Sequence, residues 1–174
     1  MKLVRWRRFT WELAKLPAVD RSLPVHYHLR AATHEEEKAV HRVILSAFSL
    51  DSSWSDVLHN FRELLEAQIE ASFAHDNVPS LVICHGQRII AASALTTGPD
   101  AENHLLSGPC VLTEYRNRGL GTALLWYSLK QLQNAGLERA CGISKENVVA
   151  SKFIYPKFGS VSAPCDFEPF LAPT

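Results

Sequence analysis

Residues 114–122 read EYRNRGLGT, set between the apolar runs VL at 111–112 and ALLWY at 123–127. Those residue types suit the binding of an anion. The first turn of a helix leaves four main-chain N–H groups unpaired at the positive end of its dipole. Fed by a flexible loop, such an end takes phosphate readily. Gly119 and Gly121 would let the backbone approach closely, and Arg116 and Arg118 would add charge. The plainer reading of the same residues is a glycine-rich turn with solvated arginines. Two common phosphate loops are excluded by spacing: no G-x-x-x-x-G-K-[ST] string occurs, and the third glycine of a G-x-G-x-x-G fingerprint falls on Leu124.

Few other residues form a reactive pattern. Cys84, Cys110, Cys141 and Cys165 stand singly, without C-x-x-C spacing or clustered histidines, so reduced, mostly buried thiols and no metal are expected. The eight histidines have no G-x-S-x-G elbow to serve, which argues against a nucleophilic hydrolase.

The elements that must position the loop can be read from periodicity. Residues 26–33 form a first strand ending at Thr33, where T-x-x-E makes a capping box with Glu36. Val40, Val43, Ile44, Ala47 and Phe48 give a core-facing helix, and Trp54, Leu58, Phe61, Leu65 and Ile69 give a second over about 54–73. Residues 81–84 and 88–97 form a hairpin, followed by a third run over 104–112 that Gly108 and Pro109 disturb by a bulge or splay. A helix over 120–135 ends at Gly136, and a strand over 139–144, a helix over 148–155 and closing strands within 160–171 complete the chain. Strand, two helices, three antiparallel strands, helix, strand, helix, strand predicts an α/β (α+β) mixed sheet with helices on both faces.

At 174 residues, with 47% apolar and 21% charged residues, the chain fits one globular domain. Eighteen basic residues balance eighteen acidic ones, which argues against nucleic acid held by a basic field. Trp6, Phe9, Leu13 and Leu16 recur at helical spacing and suggest an amphipathic helix in an extension over 1–24, ahead of a domain over 25–174. Its apolar side would pack on the domain or on a subunit partner, leaving a homodimer open; Arg5, Arg7 and Arg8 allow a membrane-surface helix instead. No apolar signal core and no run of spanning length occurs, so a cytoplasmic location is expected.

The segment VLTEYRNRGLGTALL, with NVVASKFIYPKFG about 25 residues later, resembles the acetyl-CoA signature of the GCN5-related N-acetyltransferases, the GNAT superfamily. Arg116, Gly119 and Gly121 match their [QR]-x-x-G-x-[GA] loop, and the likeness extends over about residues 27–170. It implies a mostly antiparallel sheet of about six or seven strands with a splayed pair that admits acetyl-CoA. Backbone groups of Val111, Leu112 and Thr113 would hold the pantetheine arm, and amides of Asn117, Arg118, Gly119, Leu120, Gly121, Thr122 and Ala123 the pyrophosphate. Arg116 or Arg118 would meet the 3′-phosphate. In the second motif Ser151 and Gly159 keep their spacing to Tyr155, whereas the asparagine place falls on Val148, one residue after Asn147. Asn147 is then either a cofactor contact or a helix cap, and Pro156 biases Tyr155 away from helical geometry.

The resemblance further implies direct transfer of the acetyl group to a primary amine of a small molecule or peptide, with an amide near Val111 polarising the carbonyl and Tyr155 as general acid. The alternative is a GNAT-like module that binds acyl-CoA or a protein partner with little catalysis. Residues 104–112 hold no carboxylate, so the base is open among His104, Glu102, Asp100, His85 and water, with Glu114 structural. His59, Glu63, Glu70 and Asp166 are candidates for holding the acceptor ammonium, though each reads equally as a solvated group.

Overall fold

In the computed structural model, residues 4–18 and 22–167 are described. Among these residues, seven strands form two antiparallel sheets. Strands β2 (Tyr27–Ala31), β3 (Leu81–His85), β4 (Arg88–Ser93) and β5 (Cys110–Val111) lie in that order in one sheet. The other has the order β6 (Arg139–Lys145), β1 (Trp6–Glu12), β7 (Val161–Cys165). Helices α1 (Glu37–Ser49), α2 (Leu58–Phe73) and α3 (Leu120–Asn134) complete the architecture. Ile90, Ala91, Ala92 and Ser93 are all fully buried, so both faces of β4 are covered, and α1 and α3 both pack on it. Among the described residues no helix is long and apolar enough to cross a membrane.

Periodicity located most of this. The α1 stripe buries the five expected residues, and α2 buries Phe61, Leu65 and Ile69 from its expected face while Trp54 sits in a tight turn before it. The hairpin turns at Gly86, whose φ is +62°. The helix expected over 148–155 shrinks to one wide turn, Ala150–Ile154. Of the closing segment only β7 is seen, and its last residues, 168–171, lie outside the described ones. Residues 19–21, near the end of the expected extension, likewise lie outside them.

The N-terminal helix is corrected to a strand. Trp6–Glu12 pairs along its whole length with β6, from Trp6 opposite Lys145 to Glu12 opposite Arg139, and on its other edge with β7. Residues three apart lie on one side of a helix but on opposite sides of a strand. Trp6 accordingly packs against Trp54, Phe61 and Phe167, while Phe9 and Trp11 pack against Tyr155. Both sides of β1 are covered, so both kinds of spacing occur and the helical one misleads.

In the other sheet, Arg30 of β2 grips Glu36 with two contacts of 2.7 Å, and Glu36 also accepts from the Thr33 amide at 2.9 Å. The capping box is present. Arg30 first, then the Thr33 bonds, hold the Glu36 carboxyl at a pKa of about 2 against desolvation. A depressed carboxylate stabilises the fold fully above its unfolded pKa and loses that contribution as pH falls through the folded value. Between pH 4.5 and pH 2 the wild type should therefore lose more stability than Glu36→Gln, read from urea midpoints; parallel profiles would refute the role.

Candidate active site

The two sheets meet at one point and then separate. Main-chain amides of His104 and Leu105 donate to the Cys141 carbonyl at 2.7 and 3.3 Å, and the Cys141 amide donates to His104 Nδ1 at 3.0 Å. That bond fixes the proton on Nε2, which donates to the Gly98 carbonyl at 2.8 Å. Beyond Leu105 the chain leaves β6. Leu95 opposes Leu105 and Ala92 opposes Cys110, so residues 93–94 face residues 106–109, two against four. This is the disturbance that Gly108 and Pro109 foretold. Ser107 repairs it: its hydroxyl oxygen accepts from the Ala94 amide at 2.9 Å and donates to the Gly108 carbonyl at 2.7 Å.

The divergence opens a cleft of about 500 Å³ between β5, β6 and the helix ends. Leu112 donates to the Ile90 carbonyl, and successive strand residues point their amides to opposite sides, so the Val111 N–H points away from β4. Val111 lines the cleft. Leu112 does not hold a free group: its amide is taken by Ile90 and its carbonyl by Tyr115. Thr113 begins the short turn that closes β5, and its carbonyl accepts from Arg116.

The loop expected to bind an anion leads into the start of α3. Asn117 and Gly119 take left-handed φ of +63° and +78°, which turns the chain into the helix. Nothing lies within 4 Å of where a Gly119 side chain would begin. No side chain caps the helix, and its first internal bond runs from the Ala123 amide to the Gly119 carbonyl at 3.1 Å. Leu120, Gly121 and Thr122 thus present N–H groups outside the helical ladder. Asn117, Gly119, Leu120, Gly121 and Thr122 all line the cleft. Ala123 is corrected out of this set, because its amide is spent inside the helix.

Neither arginine of the loop is free. Arg116 donates to the Val111 carbonyl at 3.3 Å and to the Ala47 carbonyl at 3.0 Å, tying the end of α1 to β5. Arg118 donates to Tyr27 Oη and to the Glu114 carbonyl and lies over the Tyr115 ring. The cation beside the helix start is Lys157, whose Nζ donates to Thr122 Oγ1 at 3.1 Å. Sequence reasoning passed over it, since only the tight turn after Tyr155 brings it back.

Tyr155 also lines the cleft. Its amide donates to the Ala150 carbonyl five residues back, a widened turn that rotates the ring inward. Its backbone remains helical (φ −63°, ψ −29°) despite Pro156. The ring is 2% exposed, edge-on to Phe9 and Trp11 at 5.3 and 5.7 Å, with its hydroxyl over Gly108. The Trp11 indole N–H donates to the Lys157 carbonyl at 2.9 Å, so β1 fixes both Tyr155 and the turn behind it. Burial, followed by the neighbouring Cys110, raises the phenol pKa well above its ordinary value. Burial also pushes the Cys110 thiol up to about 12, which makes that sulfur inert.

Asn147 is exposed in a left-handed turn at φ +67°, and Ser151 bonds to the Val148 amide and carbonyl; neither lines the cleft. The proposed bases are not there either. His104 is the staple described above, His85 bonds Tyr115, Glu102 pairs with Arg8, Asp100 is exposed, and Glu114 pairs with Arg88. His59, Glu63, Glu70 and Asp166 are exposed and outside the cleft. The carboxylate that does line it, alone among the described residues, is Asp51, which no motif marks. Among the described residues no cluster of three or more metal-ligating side chains occurs.

A model of the acetyltransferase (GNAT) family matches residues 38–159. No curated protein matches the chain. Among solved structures it is similar to a Drosophila protein with a TM-score of 0.64 and 16% identity, over 93% of this chain and 50% of that one. A GCN5-related N-acetyltransferase from Sphaerobacter thermophilus gives 0.63 and 16%, over 94% and 50%. An acetyltransferase of the same family from Colwellia psychrerythraea gives 0.62 and 18%, over 93% and 54%. The chain thus spans about half the length of these structures, and at such identities the likeness is one of fold.

The contact between Tyr155 and Gly108 can be tested directly. A Cβ at Gly108 would fall on the phenol oxygen, and φ is +65° there. Gly108→Ala should cost about 2–4 kcal/mol from backbone strain and overpacking combined. In a Tyr155→Phe background, which removes the oxygen, the cost measured by urea unfolding should fall by about 1 kcal/mol or more. Additive costs would show that the hydroxyl does not occupy this position.

Proposed function

The chain belongs to the acetyltransferase (GNAT) family, and we propose that it moves an acetyl group from acetyl-CoA to a primary amine of a small molecule or peptide within a ternary complex. One observation carries this reading: the free amides at the start of α3, the outward Val111 N–H and the Tyr155 ring face one cleft. The donor set fits a diphosphate. Leu120, Gly121 and Thr122 offer amides at a helix start, Gly119 leaves the approach open, and Lys157 lies beside them with a charge. Bound there, acetyl-CoA supplies a thioester carbon open to attack. The four cysteines are unpaired, which fits a reducing compartment, and action in the cytoplasm is part of the proposal.

The chemistry asks three things of the chain. Val111 N–H would donate to the carbonyl oxygen, where negative charge grows as nitrogen adds. A lysine-like ammonium, with a pKa near 10.4, must shed a proton before it can attack, and the apolar cleft favours the neutral amine. As the C–N bond forms and the C–S bond breaks, the sulfur takes one proton and the nitrogen releases one to water. Tyr155 would give the sulfur its proton and recover it from solvent.

Burial complicates that last step. A phenol raised above its usual pKa is fully protonated at neutral pH but yields its proton less readily. A desolvated thiolate is correspondingly more basic, so the two shifts oppose each other. The same burial favours, as a second reading, a slow catalyst that serves as an acyl-CoA-binding or protein-interaction module.

Calorimetry with CoA and thiol release across an amine panel separate the readings. The active reading expects micromolar CoA binding with turnover, an acyl-CoA-binding module expects binding alone, and absence of CoA binding overturns both of these. Gly121→Glu has space for its Cβ, 3.4 Å from Ile154, so it should fold and yet place a carboxylate at the phosphate amides, abolishing CoA affinity. Lys157→Ala should weaken CoA binding about tenfold. Tyr155→Phe should lower turnover about 10²-fold while leaving CoA affinity within about twofold. Full activity in that variant would remove Tyr155 as the acid.

A further inference from the structure

The lining of the cleft is of two chemical kinds. Besides the residues of the α3 start it includes Phe48, Trp54, Phe61, Phe167, Leu106 and Ile143. The four aromatic side chains form one cluster: Phe48 meets Trp54 edge-on at 4.8 Å and Phe61 at 5.6 Å, Trp54 stacks on Phe61 at 5.6 Å, and Phe167 meets Phe61 at 6.5 Å. Trp6 of β1 backs it through Trp54 and Phe61. Trp54 and Phe61 are only 7% and 6% exposed, so the surface they offer to the cleft is a fixed apolar wall.

Into this wall is set one charge. Asp51 follows α1, and its Oδ1 accepts from the Ser53 amide at 3.0 Å and the Ser53 hydroxyl at 2.6 Å. Its Oδ2 meets no donor among the described residues. The turn that carries it is pinned by the Trp54 amide on the Asp51 carbonyl at 3.1 Å and by Lys145, whose Nζ donates to the Ser53 carbonyl and to Asp56, both at 2.6 Å. Lys145 is thereby matched to Asp56. The other charged group of the cleft, Arg116, is engaged by two main-chain carbonyls. The aromatic lining therefore carries a single, preorganised negative charge and one free carboxylate oxygen.

Resting on the acetyltransferase reading above, we propose that the acceptor is a small monoamine with an aromatic or bulky apolar substituent, its ammonium met by Asp51 and its ring laid against Trp54 and Phe61. A carboxylate with one free oxygen complements one ammonium, and a polyamine would leave its further charges against aromatic walls, where burying them unpaired is costly. An aromatic ring gains contact with the wall that a hydroxylated short amine cannot match. A cation beside an aromatic ring gains further attraction. Asp51 holds and orients the acceptor; the proton that the nitrogen sheds leaves to water as described above.

The test uses 2-phenylethylamine, ethanolamine, spermidine and the uncharged 2-phenylethanol, with binding read by ligand-observed NMR and calorimetry on the whole chain, with and without CoA. 2-Phenylethylamine should bind at least about tenfold more tightly than ethanolamine or spermidine, the gain expected from burying a ring. It should exceed 2-phenylethanol by about tenfold, the share of the ion pair. Asp51→Asn keeps an acceptor for the Ser53 bonds, so the turn should persist while the preference for amine over alcohol disappears and CoA affinity stays unchanged. Trp54→Ala should weaken amine and alcohol alike; Trp54→Phe, which keeps a ring and the fold, should restore most of the affinity. Equal binding of ethanolamine, or an unchanged amine preference in Asp51→Asn, overturns the assignment. Either result with CoA affinity intact leaves the acetyltransferase reading standing, whereas loss of CoA binding by the wild type removes that reading instead.

Discussion

Two neighbouring strands that part company leave main-chain donors and acceptors without a ladder, and everything in this molecule is arranged around that parting. A buried peptide group without a partner costs as much as a lost hydrogen bond. Here each orphan near the fork is met locally: Ser107 takes the Ala94 amide, Ser80 takes the Leu95 amide, and Arg116 takes the Val111 carbonyl. What is left unmet, the Val111 N–H and the first turn of α3, faces the cleft. The fork is kept open because its polar groups are satisfied one by one by side chains of fixed length, and kept from spreading by the His104 staple at its base.

The strand that organises the walls is β1. Its two faces do different work: Trp6 supports the aromatic lining of the cleft, while Phe9 and Trp11 hold the Tyr155 ring and the turn carrying Lys157. One short strand therefore links the place where an acyl donor would lie with the place where an acceptor would lie. Its aromatic content is explained by that double burial, since a strand covered on both faces needs large apolar residues at odd and even positions alike.

How much of this could be read from residues alone depended on the range of the interaction. The α1 stripe, the hairpin around Gly86, the Thr33–Glu36 cap and the helix start after Gly119 are local patterns, and each appears as the spacing foretold. Gly108 and Pro109 marked the fork, but not its size, because the two surplus residues are defined only against β4. Trp6 and Phe9 keep a helical spacing yet lie on a strand, because their partners are more than a hundred residues away. Asp51 and Lys157 carry no signature; they gain meaning from Trp54 and Thr122, which the fold brings beside them. The family resemblance named a loop expected to bind an anion while saying little about which of its amides are already spent, and Ala123 and Leu112 show that this is a matter of ladder bonding.

The placement of β1 also has a consequence for synthesis. The strand leaves the ribosome before its partners Arg139–Lys145 and Val161–Cys165, so the second sheet cannot close until those later segments have been made. Folding slows as the sequence separation of the contacts to be made grows. Until then Trp6, Phe9 and Trp11 must travel uncovered, as a hydrophobic edge open to chaperones or to the wrong neighbour. The second sheet is thus the last part of the molecule to close, and its assembly is a step at which a nascent copy is exposed to failure.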